Sequence, residues 1–207
     1  GERRARVKPP KFAPAGQSTQ IIVGADAARD ADILGASALL YANYGLKRVY
    51  YSAFSPIPDA SATLPSSAPP LMREHRLYQA DWLMRYYDFS LDEIVSAAPG
   101  GMFDAAIDPK LAWALANRAH FPVDVNVAPR EMLLRIPGIG ARAVQKILSQ
   151  RRYQALRLAD LARVTVSVKK ALPFIVAHDW SPGGALDDAR LESRFRAPPK
   201  QLELFAA

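Results

Sequence analysis

The chain has 207 residues, 27 basic and 20 acidic, for a formal charge of +7; half of its residues are hydrophobic and none is cysteine. That size and apolar content suit a folded protein with one good core or two small ones, and the lack of thiols excludes disulfides, thiolate zinc sites and cysteine-ligated iron-sulfur clusters within these residues. No run approaches the ~20 apolar residues of a membrane span, and the basic N-terminus has no apolar stretch behind it, so a cytoplasmic protein with no membrane partner is expected.

The first residue is Gly1 rather than Met, and residues 1–11 are basic and without pattern, so the chain is expected to begin inside a larger protein. Residues 19–24 (Thr-Gln-Ile-Ile-Val-Gly) and 48–52 (Arg-Val-Tyr-Tyr-Ser) read as β-strands. Between them, Ile33, Leu34, Ala38, Leu39 and Tyr41 recur at helical spacing, with Asp26 as the expected N-cap and Gly45 as the stop. A strand-helix-strand crossover implies parallel strands, which are normally buried on both faces in a larger sheet. The five prolines of residues 55–70 mark a linker or a loop packed over a surface. Two helices follow, at 73–87 and 91–97. The first carries Arg73, His75, Arg76 and Tyr78, either a polar seam between two parts of the protein or a substrate-facing cluster, with the seam favoured. Asp108 and Pro109 form an N-cap followed by proline, opening a helix that runs from Lys110 to about Arg118. Trp82 and Trp113 are expected in the core. The three histidines, His75, His120 and His178, are too scattered to suggest a metal site.

The run from Leu133 to Ile147 (LLRIPGIGARAVQKI) reads as a helix, a tight glycine turn and a second helix, that is, a helix-hairpin-helix. Pro137 stops the first helix, and Gly138 and Gly140 can take backbone angles that other residues resist. The amides of Gly138, Gly140 and Ala141 are expected to point outward at the start of the next helix, where unpaired N-H groups and the helix dipole favour an anion. A degenerate second copy without glycine falls at residues 164–166, between helices at 158–163 and 167–175. Residues 129–176 hold ten basic residues against Glu131 and Asp160, a net of +8 in a chain whose total is +7. The positive excess therefore coincides with the hairpins, which points to nucleic-acid phosphates. The expected DNA contacts are Pro137, Gly138, Ile139, Gly140, Ala141, Arg142, Lys146, Lys169 and Lys170. About four to six neutralised phosphates would give a slope of about −4 to −5 in log K against log salt.

Longer motifs narrow the reading. The runs 69–83 (PPLMREHRLYQADWL), 107–115 (IDPKLAWAL) and 121–126 (FPVDVN), followed by the Ile-Pro-Gly-Ile-Gly hairpin, resemble those of the DNA modification or repair radical SAM proteins, over about Phe12 to Trp180. The resemblance implies an α/β remnant, the last βαβ of a radical SAM TIM-like barrel, followed by a mainly α helix-hairpin-helix domain. It implies a 4Fe-4S cluster and S-adenosylmethionine for the full-length family, although this chain, without cysteine, has no cluster ligand and no catalytic residue assigned, and is expected to bind no cofactor alone. Ile22 and Gly24 match part of the family's adenine-passing strand, while Gln20 and Ala27 depart from it. In helix-hairpin-helix proteins generally, hairpin carbonyls can hold a monovalent cation, and by position these belong to Leu134, Ile136 and Ile139.

The implied organisation is residues 1–54 as barrel strands and helix, 55–72 as a Pro-rich linker or packed loop, 73–120 as a helical connecting region, 121–180 as the tandem hairpin domain and 181–207 as a loosely ordered tail. The implied partners are DNA and the missing N-terminal barrel portion. Two other functions compete. One is a stand-alone helix-hairpin-helix module that binds nucleic acid or protein without catalysis. The other is a hydrolase using His75, Asp81 or Asp108.

Overall fold

Strands β1 (Ser18–Val23) and β2 (Arg48–Ala53) run parallel, with Ser18 opposite Arg48 and Val23 opposite Ala53, joined by helix α1 (Asp30–Tyr44). The computed structural model describes residues 13–58, 61, 63–165 and 167–196; the basic opening and the last eleven residues lie outside it. Helix α1 starts later than its sequence suggests. The Asp26 carboxylate accepts the Ala28 N-H (2.9 Å) and so closes a local turn, while Arg29 holds the cap position and its N-H donates to Asp32 (3.0 Å). Gly45 ends the helix at φ 59°, as its lack of a Cβ allows.

Val23, Val49 and Tyr51 pack from one face of the sheet onto Ile33 of α1 and Leu77 of α2 (Leu71–Tyr86), making a small core. The other face is open: Ile22 and Tyr50 stand 45% and 43% exposed. The burial on both faces expected of parallel strands is therefore not found among the described residues, because helices cover only one side. The edges differ as well. The N-H groups of Val49, Tyr51 and Ala53 point away from β1 and donate to the Tyr41 hydroxyl (3.0 Å), the Tyr78 hydroxyl (3.0 Å) and the Glu74 carboxylate (2.9 Å). Side chains of α1 and α2 thus finish the sheet where another strand would pair. By the alternation of a parallel ladder, Ser18, Gln20 and Ile22 turn their main chain toward the opposite edge of β1, and no described strand pairs there.

The polar cluster of α2 is a seam. Arg73 pairs with buried Asp30 (2.6 Å) and donates to the Ala28 carbonyl (2.5 Å). Arg76 donates to the carbonyls of Asp104 (2.9 Å) and Ala105 (2.6 Å) and to Gln79 (2.7 Å). His75 is exposed. Asp81 is buried and accepts the Tyr41 hydroxyl at 2.6 Å. Asp108 caps α4 (Pro109–Ala116) by accepting the Leu111 N-H at 3.0 Å. The three residues of the hydrolase alternative therefore do not form one constellation.

A larger core runs without interruption from Leu34 and Leu83 through Phe89, Ile94, Leu111 and Trp113 to Ile136, Val144 and Phe174. Helices α2, α3 (Leu91–Ser96) and α4 share it with the hairpins, so residues 73–120 pack as part of the helical body. Trp113 is in this core, but Trp82, expected there, is 52% exposed and meets Tyr86 edge-on. The segment 181–196 also differs from the loose tail expected. Leu186 and Leu191 are buried, and Arg118 donates to the carbonyls of Leu186 and Asp188 (3.0 Å each). The molecule is mainly helical with a small sheet.

Candidate nucleic-acid interface

Helices α5 (Arg130–Arg135) and α6 (Ala141–Gln150) form the first hairpin, and α7 (Leu158–Val164) and α8 (Val168–Ala171) the second. Two short parallel strands, β3 (Val123–Asp124) and β4 (Ile175–Val176), tie the beginning of the tandem to its end. Ile136 precedes proline and is extended, which stops α5. Ala143, Val144 and Ile147 bury one face of α6, leaving Arg142, Gln145 and Lys146 on the outer one. Full burial of Val144 and Ile147 is worth about 1.5–3 kcal/mol each.

The turn itself is asymmetric. Gly138 has φ +81°, and a Cβ there would overlap the Ser167 carbonyl oxygen and press on Lys170 of the second hairpin. Its glycine is therefore required twice over, by conformation and by the close approach of the two hairpins. Gly140 instead has an ordinary φ of −88° as the N-cap of α6, and a Cβ there would meet only the Tyr87 hydroxyl at 3.5 Å. The Ile139 N-H bonds back to the Ile136 carbonyl (3.2 Å), whereas the N-H groups of Gly138, Gly140 and Ala141 find no acceptor among the described residues. Pro137 and Ile139 are buried; Pro137 has no N-H to offer, and the N-H and carbonyl of Ile139 are both used within the protein, so these two expected DNA contacts shape the turn rather than face a ligand.

The basic residues divide into two sets. Arg130 pairs with Asp88, Arg135 with Glu93 (2.5 Å) and Lys170 with Asp108 (2.5 Å). Arg151 donates to the carbonyls of Val125 and Ala128 (3.1 and 2.7 Å), and Arg163 lies 3.9 Å from Asp160. Lys170 thus ties the second hairpin to the N-cap of α4, where its sequence position suggested a phosphate ligand. Arg142, Lys146, Arg152, Arg157 and Lys169 have no carboxylate partner among the described residues, and all five are exposed. Arg152 lies beyond the far end of α6, roughly 15 Å of helix from the turn at 1.5 Å per residue, and Arg157 follows it. Three cations remain on the two helices that meet at the turn: Arg142 and Lys146, four apart on α6, and Lys169 of α8, next in sequence to Lys170, which packs against Gly138. The expectation of four to six neutralised phosphates falls to about three, and the salt slope to about −3.

One residue was missed in the sequence. Lys110 is only 8% exposed, and its ammonium donates to the Ile139 carbonyl at 2.6 Å and lies 4.8 Å from the centre of the Tyr87 ring. Burial lowers its pKa to about 7. The signal was a lone lysine in the otherwise apolar helix Pro-Lys-Leu-Ala-Trp-Ala-Leu-Ala. Of the three carbonyls with the cation-holding position, Ile139's is taken by this ammonium and Ile136's accepts the Ile139 N-H. One of the three positions is therefore already filled by a charge of the chain's own.

The two residues with the adenine-passing position lie elsewhere. Ile22 projects from the open face of the sheet, and Gly24, at φ +80°, packs against Pro69, whose ring a Cβ would strike at 2.8 Å. No group of three or more His, Cys, Asp or Glu among the described residues could hold a metal ion. None of the described helices is long and apolar enough to cross a membrane.

A family model described as the SAM-like helix-hairpin-helix tandem matches residues 106–152 and again 130–168. The two matches together span residues 106–168, helices α4 to α7, and support the helix-hairpin-helix reading of this part of the chain. The match begins at α4, ahead of the boundary at residue 121 drawn from sequence. No curated protein and no solved structure matches the chain.

Proposed function

We propose that this chain is the DNA-binding portion of a radical SAM protein for DNA modification or repair, and that it grips the duplex through phosphates without reading base sequence. The observation that carries the DNA reading is the turn at 138–141, where three main-chain donors lack internal partners and Arg142, Lys146 and Lys169, on the two helices that meet there, have no counter-charges among the described residues. Phosphate contacts of this kind position a protein on DNA and carry no direct sequence information. Fluorescence anisotropy with labelled duplexes of different sequence tests it. The expected log K falls against log salt with a slope of about −3, alike for AT-rich and GC-rich duplexes; a flat response contradicts the reading.

The enzymatic context rests on the motif runs at 69–83, 107–115 and 121–126. It is also favoured by the sheet, closed by side chains along β2 and open along β1, as a terminal strand pair of a larger parallel sheet would be. In this reading residues 1–54 are the end of the barrel, 55–72 its linker, 73–120 the connecting helices and 121–180 the hairpin domain. A 4Fe-4S cluster does not fit these 207 residues, which contain no cysteine, so the cluster and the S-adenosylmethionine it cleaves belong to the other part of the proposed protein. The competing stand-alone module is separated from this by the reading frame ahead of Gly1. A cysteine triplet at radical SAM spacing there supports the enzyme, and a start codon at that point supports the module.

A further inference from the structure

We propose that Lys110 is the built-in cation of the first hairpin: its ammonium occupies the Ile139 carbonyl that a bound monovalent ion would otherwise take, and it holds the phosphate-facing turn in shape. The inference rests on the DNA reading above for its consequence, but not for its geometry. Lys110 is placed by a fixed helix start, with Asp108 capping α4 and Pro109 in its first turn. Its Nζ reaches Ile139 at 2.6 Å, two residues before Ala141 opens α6. On its other sides it faces the Tyr87 ring, the Asp108 carboxylate, Lys170 of α8 and Arg135 of α5. The two like charges are already paired, Lys170 with Asp108 and Arg135 with Glu93.

Energetics argue that this lysine is there for more than stability. A buried ammonium loses its hydration, and a single carbonyl and a ring face are small compensation. An apolar side chain of similar length would fill the same space at lower cost, as replacements of buried charges by hydrophobic residues often show. What only the ammonium supplies is a positive charge behind the free amides of the turn and a donor fixed on the Ile139 carbonyl. Being covalently attached, it needs no ion from solution.

The full chain and its Lys110→Met variant are compared at about pH 6, well below the ordinary lysine pKa, in potassium, sodium and tetramethylammonium chloride at one ionic strength. Duplex affinity and thermal midpoint are both read. The wild type is expected to give the same affinity and midpoint in all three salts. The variant is expected to melt no lower than the wild type in tetramethylammonium and higher in potassium, to bind DNA about tenfold more weakly in tetramethylammonium, and to recover part of that loss in potassium. A wild type that binds more tightly or melts higher in potassium than in tetramethylammonium overturns the proposal. So does a folded variant that binds as well as wild type in tetramethylammonium. If the variant does not fold, the wild-type comparison decides alone. If neither protein binds DNA in any salt, the DNA reading fails, and the midpoints still decide the ion site: potassium should raise the variant's and leave the wild type's unchanged.

Discussion

Arg76 shows how a residue that looks functional in sequence can be spent on architecture. Three of its N-H groups are used by Gln79 and the carbonyls of Asp104 and Ala105, so Arg76→Ala should lower unfolding free energy by about 2–4 kcal/mol in urea titration. DNA affinity should not change where the variant is folded. Gly138→Ala should also destabilise, by about 2–3 kcal/mol, because it adds a Cβ at positive φ against the Ser167 carbonyl. Lys110 predicts a pH dependence of unusual sign. Its folded pKa of about 7 lies below the unfolded value, so from about pH 7 to 10 the unfolded chain holds a proton that the folded chain has released. Stability should rise with pH across that window, and Lys110→Met should flatten the rise. Above about pH 10 the trend reverses, because burial and the Asp81 carboxylate push Tyr41 up to about 12, and burial pushes Tyr51 up as well, so the unfolded tyrosines ionise first. Denaturant midpoints measured across pH check both limbs.

At the scale of elements, the hairpin and its charge were legible because glycine, proline and apolar periodicity are local signals. The Ile-Pro-Gly-Ile-Gly turn, the Asp108 cap and the parallel strand pair all appear where residue order places them. What sequence could not show was which cations remain unpaired. Lys170 and Arg135 look equivalent to Lys169 and Arg142 along the chain, yet their carboxylate partners come from positions 108 and 93. The same long-range pairing explains why Lys110 went unnoticed, whereas Asp26 fails to cap α1 for a local reason, its bond to the Ala28 N-H of its own turn. Lys146→Ala and Arg142→Ala should each reduce the salt slope by about 0.9 and weaken binding alike on different sequences. Lys170→Ala should act instead through stability, since it frees Asp108.

At the scale of the whole molecule, two cores of unequal size meet along the α2 seam, and the larger one fixes the hairpins relative to the small sheet. The open edge of β1 has a consequence for hydrogen exchange. In this chain the amides of Gln20 and Ile22 should exchange faster than those of Val49 and Tyr51, which tyrosine hydroxyls hold. In a longer protein that supplies the neighbouring strand, the difference should vanish. The decisive test of the phosphate grip is Gly140→Asp. Aspartate is a favoured N-cap, and Gly140 has the φ and the space to accept it, so the variant should be as stable as the wild type or more so. Its carboxylate would stand among the amides meant for phosphate. The account predicts an anisotropy titration in which this stably folded variant loses DNA affinity by at least about tenfold, and equal affinity of variant and wild type would contradict it.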